Sequence, residues 1–408
     1  MIIPFVNRLL HWMVTGIMTT VMSLMILSKG LTIESLGFIS AATSLIVVIL
    51  EFPSGILSDA IGRKRVYMIS IAFSLAARLI LVPAKGFLPV FLGFALYAIS
   101  RAFSSGSIEA IYINDFIRKR GAGNLHKLMS VMSAGETIGL AGGALLGGLL
   151  PMLWDRLRPG DNRYNGNLAA QIIILCALAA LTMSTTREER MPALGPTKFG
   201  TYIADSFRTI RASKILGLML AGACFWGLTF SAIEVYWQPR LKDILGSDSQ
   251  TWIFGMVNSG YFLASLFGVL AIGLILSKRK ISLLFSIFAF RLLTGVLILF
   301  LAAQRSIFPF SAVYLLMFFF NGMTNIPEST LFNQEIPEDK RSSLLSVSSL
   351  AVQLGGAAGS LLFAALVKRL SIPGVWIVAG ALFSASSLLY LKAASGARLL
   401  SRYTGRGR

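Results

Sequence analysis

Cysteine and histidine are nearly absent from this chain, which limits the chemistry that it can perform. The 408 residues contain two cysteines and two histidines. Cys176 and Cys224 both lie in apolar runs, which argues against a disulfide framework and a cysteine-based zinc site. His11 and His126 stand at the start of an apolar run and in a loop, without other ligand residues beside them. We therefore expect neither a metal nor a cofactor.

Charge is also scarce, and acidic residues are the scarcer kind. Only 13% of the residues are charged, whereas a soluble domain carries about 25%. Apolar runs of about 20 residues recur along the chain, as expected for membrane helices. The net charge of +19 comes from basic residues scattered through short loops, so nucleic acid is not the expected partner. The composition predicts an all-α, polytopic membrane protein whose solvent is the lipid bilayer.

Signatures of soluble and membrane enzymes are missing as well. The sequence contains no G-x-S-x-G, no H-E-x-x-H and no G-x-x-x-x-G-K-[ST] motif. Their absence argues against a polytopic membrane enzyme and against an ATP-driven pump. We therefore do not expect catalysis.

The apolar runs predict twelve spans in two groups of six. The polar segment 187–214 holds two prolines and is the natural linker. We divide the chain into a half at 1–186, the linker at 187–214, a half at 215–394 and a basic tail at 395–408. The spans are predicted at residues 8–28, 35–58, 66–84, 88–116, 128–153, 168–186, 215–239, 251–276, 281–303, 308–334, 344–367 and 374–394.

The basic residues also predict an orientation. Most of the 37 Lys and Arg residues lie in segments that are predicted on one side of the membrane. These segments are the start of the first span with Arg8, alternate loops and the tail. Short cytoplasmic loops are rich in Lys and Arg, so both termini are expected in the cytoplasm. We place the protein in the plasma, or inner, membrane. The first apolar run is long enough to span and predicts no cleavable signal.

The most specific stretch is GILSDAIGRKR at 55–65, between the second and third spans. Gly55 and Asp59 lie one helical turn apart, and Gly62 breaks the helix before a basic turn. The stretch resembles the loop motif G-x-x-x-D-basic-x-G-R-basic of the major facilitator superfamily. Gly55, Asp59, Gly62, Arg63 and Lys64 match, whereas Ala60 replaces a basic residue. The alternative is a positively charged connector with no further role.

This resemblance implies a fold of two similar six-helix halves that transports by alternating access. It also implies a cavity lined by spans one, four, seven and ten. Span five is rich in glycine and is similar to that of the 12-span drug:proton antiporter group. Gly139-Leu140 stands where that group usually has Gly-Pro, so the signature is incomplete. Closely packed helices are the simpler explanation of most of these glycines.

Corresponding residues recur in the two halves. Arg78 corresponds to Arg291 and Glu109 to Glu328, which favours structural ion pairs as an interpretation of these residues. Gly139, Gly142 and Gly143 correspond to Gly355, Gly356 and Gly359. Several matches at nearly one offset indicate duplication, as in transporters built from repeats.

Ionisable residues inside spans are costly and are functional candidates. With a rise of about 1.5 Å per residue, Glu51, Glu109 and Glu136 lie at similar depths, roughly 12–13 Å from the cytoplasmic edge. Arg78 and Arg101 lie deeper. Burial opposes ionisation of a carboxylate and a nearby guanidinium favours it, so this layer is a candidate proton site. Glu136 and then Glu51 are the preferred proton carriers, because neither has an acidic counterpart in the other half.

Glu234 lies near the outer end of span seven and is a candidate outer gate for cationic cargo. An interfacial aromatic belt is the competing explanation for the adjacent Tyr236 and Trp237. Methionine and aromatic side chains in spans one and seven are candidates to line an apolar cavity, with ordinary packing as the alternative. These cavity candidates are Met18, Met22, Met25, Phe225, Trp226 and Phe230.

Together, these features and the resemblance predict a secondary active transporter. We expect proton-coupled efflux of a hydrophobic or amphiphilic small molecule by a monomer. Proton-coupled uptake, or export of one dedicated metabolite, is the alternative among transporters. A non-transporting receptor with a transporter fold is the alternative from another class.

Overall fold

The computed structural model describes residues 1–105, 107–121, 125–186, 208–279, 281–336 and 341–404. Within these ranges the chain forms twelve α-helices and no strand. The helices are α1 (Ile2–Ser28), α2 (Ile33–Ile61), α3 (Arg63–Leu81), α4 (Phe87–Ser104), α5 (Ser107–Arg120), α6 (Leu125–Leu157), α7 (Asn165–Thr185), α8 (Lys214–Leu245), α9 (Thr251–Lys278), α10 (Leu283–Ala303), α11 (Ile307–Glu335) and α12 (Arg341–Thr404).

Three of the predicted spans do not correspond one to one with the helices. Span four is made of α4 and α5, and α12 contains spans eleven and twelve. The break in α12 falls at Ser371, which has a φ of 58° just before Pro373. Ten segments of the described chain are long and apolar enough to cross a membrane, and one of them covers both spans of α12. The third span, α3, is not among the ten because it carries Arg63, Lys64, Arg65 and Arg78.

The chain packs as two compact units. The first contains Met1–Gly195 and Val235–Phe262, and the second contains Pro196–Glu234 and Leu263–Arg408. The last part of α8 and the first part of α9 therefore pack within the first unit. Most of the predicted linker, residues 187–207, lies outside the described residues, so the division at 187–214 stays a prediction.

A seam of glycines joins α1 to α6 in the first unit, where these two helices make their most extensive contact. The glycines recur every fourth residue on one face of α6. A Cβ at any of them would come within 3.0 Å of a backbone carbonyl oxygen of α1. The predicted close packing is therefore confirmed, because only hydrogen fits between the two backbones. The four are Gly135, Gly139, Gly143 and Gly147.

The second unit repeats this arrangement between α8 and α12. A Cβ at Gly355 or Gly359 would collide with the backbone at Cys224 or Leu228. The correspondence of Gly139 with Gly355 and of Gly143 with Gly359 is therefore seen in packing as well as in sequence. Gly142 differs, because a Cβ there would meet nothing within 4 Å.

Neighbouring glycines of α6 provide a direct test of the seam. We expect Gly143→Ala to destabilise the protein by about 1–3 kcal/mol, because its methyl group overpacks the contact with Met13. Gly142→Ala is the matched control, and we expect it to be neutral or slightly stabilising because alanine favours the helix. Thermal unfolding of both purified variants in detergent measures the difference. Equal melting temperatures would show that α1 and α6 do not depend on this contact.

Candidate functional site

Three charged residues meet inside the first unit near the end where Gly62 joins α2 to α3. Arg8 of α1 lies between Glu109 of α5 and Glu136 of α6. A guanidinium nitrogen of Arg8 donates to Glu136 over 2.7 Å, and another lies 3.6 Å from a carboxylate oxygen of Glu109. The Arg8 side chain is 14% exposed and the two glutamates about one third. The structure thus brings together two of the predicted acids.

The glycine seam makes this cluster possible. Gly135 precedes Glu136 on α6, and a Cβ at Gly135 would lie 3.4 Å from the Cβ of Arg8. The absence of a side chain there allows α1 to approach until Arg8 reaches Glu136. The Trp12 ring lies one turn further along α1, with its centroid 5.5 Å from the Arg8 guanidinium carbon. One cation, two carboxylates and one aromatic face therefore form the site.

Arg8 is the residue that sequence reasoning missed. The sequence predicts that the first span begins at residue 8, which places Arg8 among the basic residues at the edge of the membrane. The helix instead begins at Ile2, so Arg8 lies two turns inside it. The signal available in the sequence is the apolar stretch 1–6, which is separated from Arg8 only by Asn7 and includes Ile2, Ile3 and Phe5.

The duplication predicts a pair between Arg78 and Glu109, but the structure does not form it. The Nε of Arg78 donates to Gln171 over 3.0 Å, its Nη1 donates to the carbonyl of Ser74 over 3.2 Å, and its guanidinium lies 4.9 Å from the Tyr97 ring centroid. Glu109 of α5 instead has Arg8 of α1 beside it. Arg101 is exposed on α4.

Glu51 is partly buried on α2, one turn before a link between α2 and α4. The Ser54 hydroxyl lies 2.8 Å from the carbonyl oxygen of Glu51 and 2.9 Å from that of Ala102. A role of Glu51 as a proton carrier stays a prediction.

Arg291 and Glu328 meet in the second unit. Arg291 Nη1 donates to Glu328 over 2.7 Å, and Nη2 donates to the carbonyl of Gly222 over 2.8 Å. The Phe383 and Tyr390 rings lie 4.6 and 5.3 Å from the guanidinium carbon. Arg291 is 1% exposed, so its charge is balanced inside the unit by one carboxylate.

The loop motif fixes the start of α3 against the end of α7. Gly62 has a φ of 104°, which a glycine adopts readily, and it turns the chain from α2 into α3. Lys64 Nζ donates to the carbonyls of Thr186 and Met183 over 2.7 and 3.0 Å. These carbonyls end α7, where a cation is favoured. Arg63 is partly buried and Gly55 is exposed, while the side chain of Asp59 lies outside the described part of the chain.

A second polar network lies at the opposite end of the first unit. Arg163 binds Asp155 and donates to the carbonyl of Asp248 over 2.8 Å. Tyr164 and Lys242 both donate to the Asp248 carboxylate, over 3.0 and 3.1 Å. The hydrogen bond to Asp155 raises the pKa of Arg163. Burial alone would raise the pKa of Asp248, but hydrogen bonds from Lys242 and Tyr164 outweigh it and leave that pKa lowered. Sequence reasoning did not detect this network.

The region after Glu234 differs from the aromatic belt considered above. Glu234 is exposed, but Tyr236 and Trp237 are 1% and 3% exposed, so the belt interpretation is wrong for both rings. Gln238 instead hydrogen-bonds to α1, since its Nε2 donates to Thr19 and its Oε1 accepts from the Ser23 amide. The gate assigned to Glu234 stays a prediction.

The six predicted cavity residues fall into two groups. Met18, Met25 and Phe230 are buried, while Met22, Phe225 and Trp226 are partly exposed. The Trp226 ring stacks on Phe230 with centroids 4.7 Å apart, and its Nε1 donates to Asn321 over 2.9 Å. An aromatic face therefore stands beside an amide in the second unit.

A protein-family comparison decides what kind of molecule this is. The model of the Major Facilitator Superfamily matches residues 5–360 and, in a second match, 239–402. The chain belongs to the major facilitator superfamily. It is thus a multi-pass integral membrane protein of a transporter family, with the all-helical major facilitator fold and a small-molecule substrate.

Solved structures agree on the fold of this superfamily member. The nucleoside transporter NupG is 14% identical with a TM-score of 0.77, and the match covers 96% of this chain and 98% of that one. A bacterial homologue of the human lysosomal transporter Spinster is 14% identical, with a TM-score of 0.72 over 98% and 96% of the chains. The POT family transporter PepTSo is 11% identical, with a TM-score of 0.74 over 97% and 98%. No curated protein matches the sequence significantly.

In this superfamily member, the buried pair of the second unit offers a stability test. We expect Glu328→Gln to cost about 3–5 kcal/mol, because it leaves the Arg291 guanidinium buried without an anion. The double variant Arg291→Leu with Glu328→Leu should recover much of that loss, since no charge remains to be buried. Thermal unfolding in detergent measures both. A double variant less stable than Glu328→Gln would contradict this account.

Proposed function

We propose that the protein is a proton-coupled secondary transporter that works by alternating access, and that the Arg8, Glu109 and Glu136 cluster carries the proton. The observation behind the proposal is the imbalance of two carboxylates against one guanidinium. With both glutamates ionised, the cluster has a net charge of −1. Uptake of one proton makes it neutral, which a poorly hydrated environment favours.

The two glutamates differ in their distance to Arg8, and this difference supports different roles for them. Glu136 accepts a hydrogen bond of 2.7 Å from Arg8, so its charge is well compensated. Glu109 lies 3.6 Å from Arg8 and is less well compensated. We therefore assign the exchangeable proton to Glu109 and the anchoring of Arg8 to Glu136, whereas the sequence favoured Glu136 and then Glu51 as proton carriers.

The coupling test uses purified protein in liposomes that contain a pH-sensitive dye. We expect cargo-triggered proton flux from the native protein, with the sign of the flux distinguishing antiport from symport. Glu109→Gln should reduce this flux to the level of empty liposomes, because the amide cannot exchange a proton. Its folding should be retained, since Arg8 keeps Glu136.

Glu51→Gln is the matched comparison, since it makes the same change in the other candidate proton carrier. We expect proton flux to survive in that variant. Loss of flux in Glu51→Gln together with normal flux in Glu109→Gln would move the proton site to α2. A native protein without flux for any cargo would contradict proton coupling itself.

For the cargo, we propose export of a hydrophobic or amphiphilic small molecule. The support is the pair of partly exposed aromatic residues Phe225 and Trp226 in the second unit, since aromatic walls suit apolar ligands. One observation favours a second candidate, a dedicated metabolite with a planar polar ring. Trp226 offers a stacking face and Asn321 offers a hydrogen-bonding amide beside it. The nucleoside and peptide-family transporters of similar fold are in keeping with a dedicated metabolite.

A transport panel separates these cargoes. We expect Trp226→Leu to raise the half-saturating concentration of an aromatic cargo about two- to twelvefold, since an aromatic stack contributes about 0.5–1.5 kcal/mol. Phe225→Leu, at the adjacent position, is the control, and we expect it to raise the half-saturating concentration by less. The panel contains lipophilic cations, neutral apolar drugs and nucleosides. Transport of nucleosides alone would replace the first proposal with the second.

A further inference from the structure

Arg78 is a buried cation whose described contacts include no carboxylate. It is 1% exposed, and its partners are the Gln171 side-chain amide, the Ser74 carbonyl and the Tyr97 ring. Arginine keeps its charge in proteins. A charge inside a membrane helix is costly and normally pairs with an opposite charge. Arg78 therefore differs from Arg291, whose charge is balanced by Glu328.

Two hydrogen-bond donors at this position, one on Arg78 and one on Gln171, lack a strong acceptor. Within the described part of the chain, Arg78 Nη2 is buried without any hydrogen-bond partner. Gln171 is 0% exposed, and its Nε2 points to the Met18 sulfur at 3.8 Å, which is a weak acceptor. Both donors belong to one hydrogen-bonded pair of side chains, so they are well placed to share a ligand that accepts hydrogen bonds and carries negative charge.

We propose that Arg78 and Gln171 form a binding site for a small monovalent anion, with the Tyr97 ring covering one face of the guanidinium. The ligand is a halide or a carboxylate group, because either compensates a single guanidinium and accepts from Nη2 and Nε2. Tyr97 is partly exposed, so movement of its ring gives a route to the otherwise buried pair. This site is separate from the proton cluster, since none of its residues is Arg8, Glu109 or Glu136.

The test measures anion-dependent stability and requires no transport. The purified full chain is melted in detergent in sodium chloride, sodium acetate and sodium gluconate at equal ionic strength. Gluconate is the reference because it is too bulky for the site. We expect chloride or acetate to raise the melting temperature by about 2–4 °C, as a bound ligand stabilises the folded state. Stabilisation by chloride identifies a free halide as the ligand, and stabilisation by acetate alone identifies a carboxylate group.

Three variants make the assignment specific. Gln171→Glu places a carboxylate beside Arg78, so we expect it to melt higher than the native protein in gluconate and to lose the response to chloride and acetate. Arg78→Gln should also lose the response. Arg101→Gln, which changes an exposed arginine of α4, should keep it in full.

Equal melting temperatures of the native protein in all three salts would overturn the proposal. Survival of the full anion response in Gln171→Glu would also overturn it, because the stabilising anion would then bind elsewhere. Neither result bears on proton coupling, which depends on Glu109 and is measured in liposomes. The two proposals can therefore fail separately.

Discussion

A guanidinium inside a membrane helix cannot lose its charge, and the interior of the bundle supplies little water to solvate it. The chain meets this constraint in three different ways. Arg291 has one carboxylate, Arg8 has two, and Arg78 has an amide, a carbonyl and an aromatic ring. The arrangement around Arg291 is balanced in charge and structural. The arrangement around Arg8 has one excess negative charge and that around Arg78 one excess positive charge, and we relate these two imbalances to bound ligands.

The glycine seams are the packing counterpart of these charges. Between α1 and α6, four glycines bring the two backbones so close that Arg8 reaches Glu136. Without the hydrophobic effect between helices in lipid, such close backbone contact is a principal source of association. The same seam therefore contributes stability and sets the geometry of the cluster of Arg8, Glu109 and Glu136, for which we propose proton transfer. In the second unit, Gly355 and Gly359 hold α12 against α8 in the same way.

The fold was largely predictable, because helices in lipid must satisfy their own backbone groups and therefore show as long apolar runs. The twelve runs, the turn at Gly62 and the spacing of Gly139 and Gly143 are all explicit in the sequence. The break at Ser371 falls in the connector predicted between spans eleven and twelve. The break after Ser104, which divides span four between α4 and α5, was not predicted, because a short interruption hardly alters the hydropathy averaged over a helix.

The sequence by itself determined which charges lie within apolar runs, since this follows from position along the chain, but it did not show that Arg8 is partly buried or that Arg101 and Glu234 are exposed. Only the tertiary structure decided which charges meet, because pairing depends on the rotation of each helix about its axis. Glu109 and Glu136 share Arg8, whereas Arg78 is turned toward Gln171. Duplicated positions suggested a common pairing for Arg78 and Arg291. The two halves keep similar helices but place different side chains opposite these arginines.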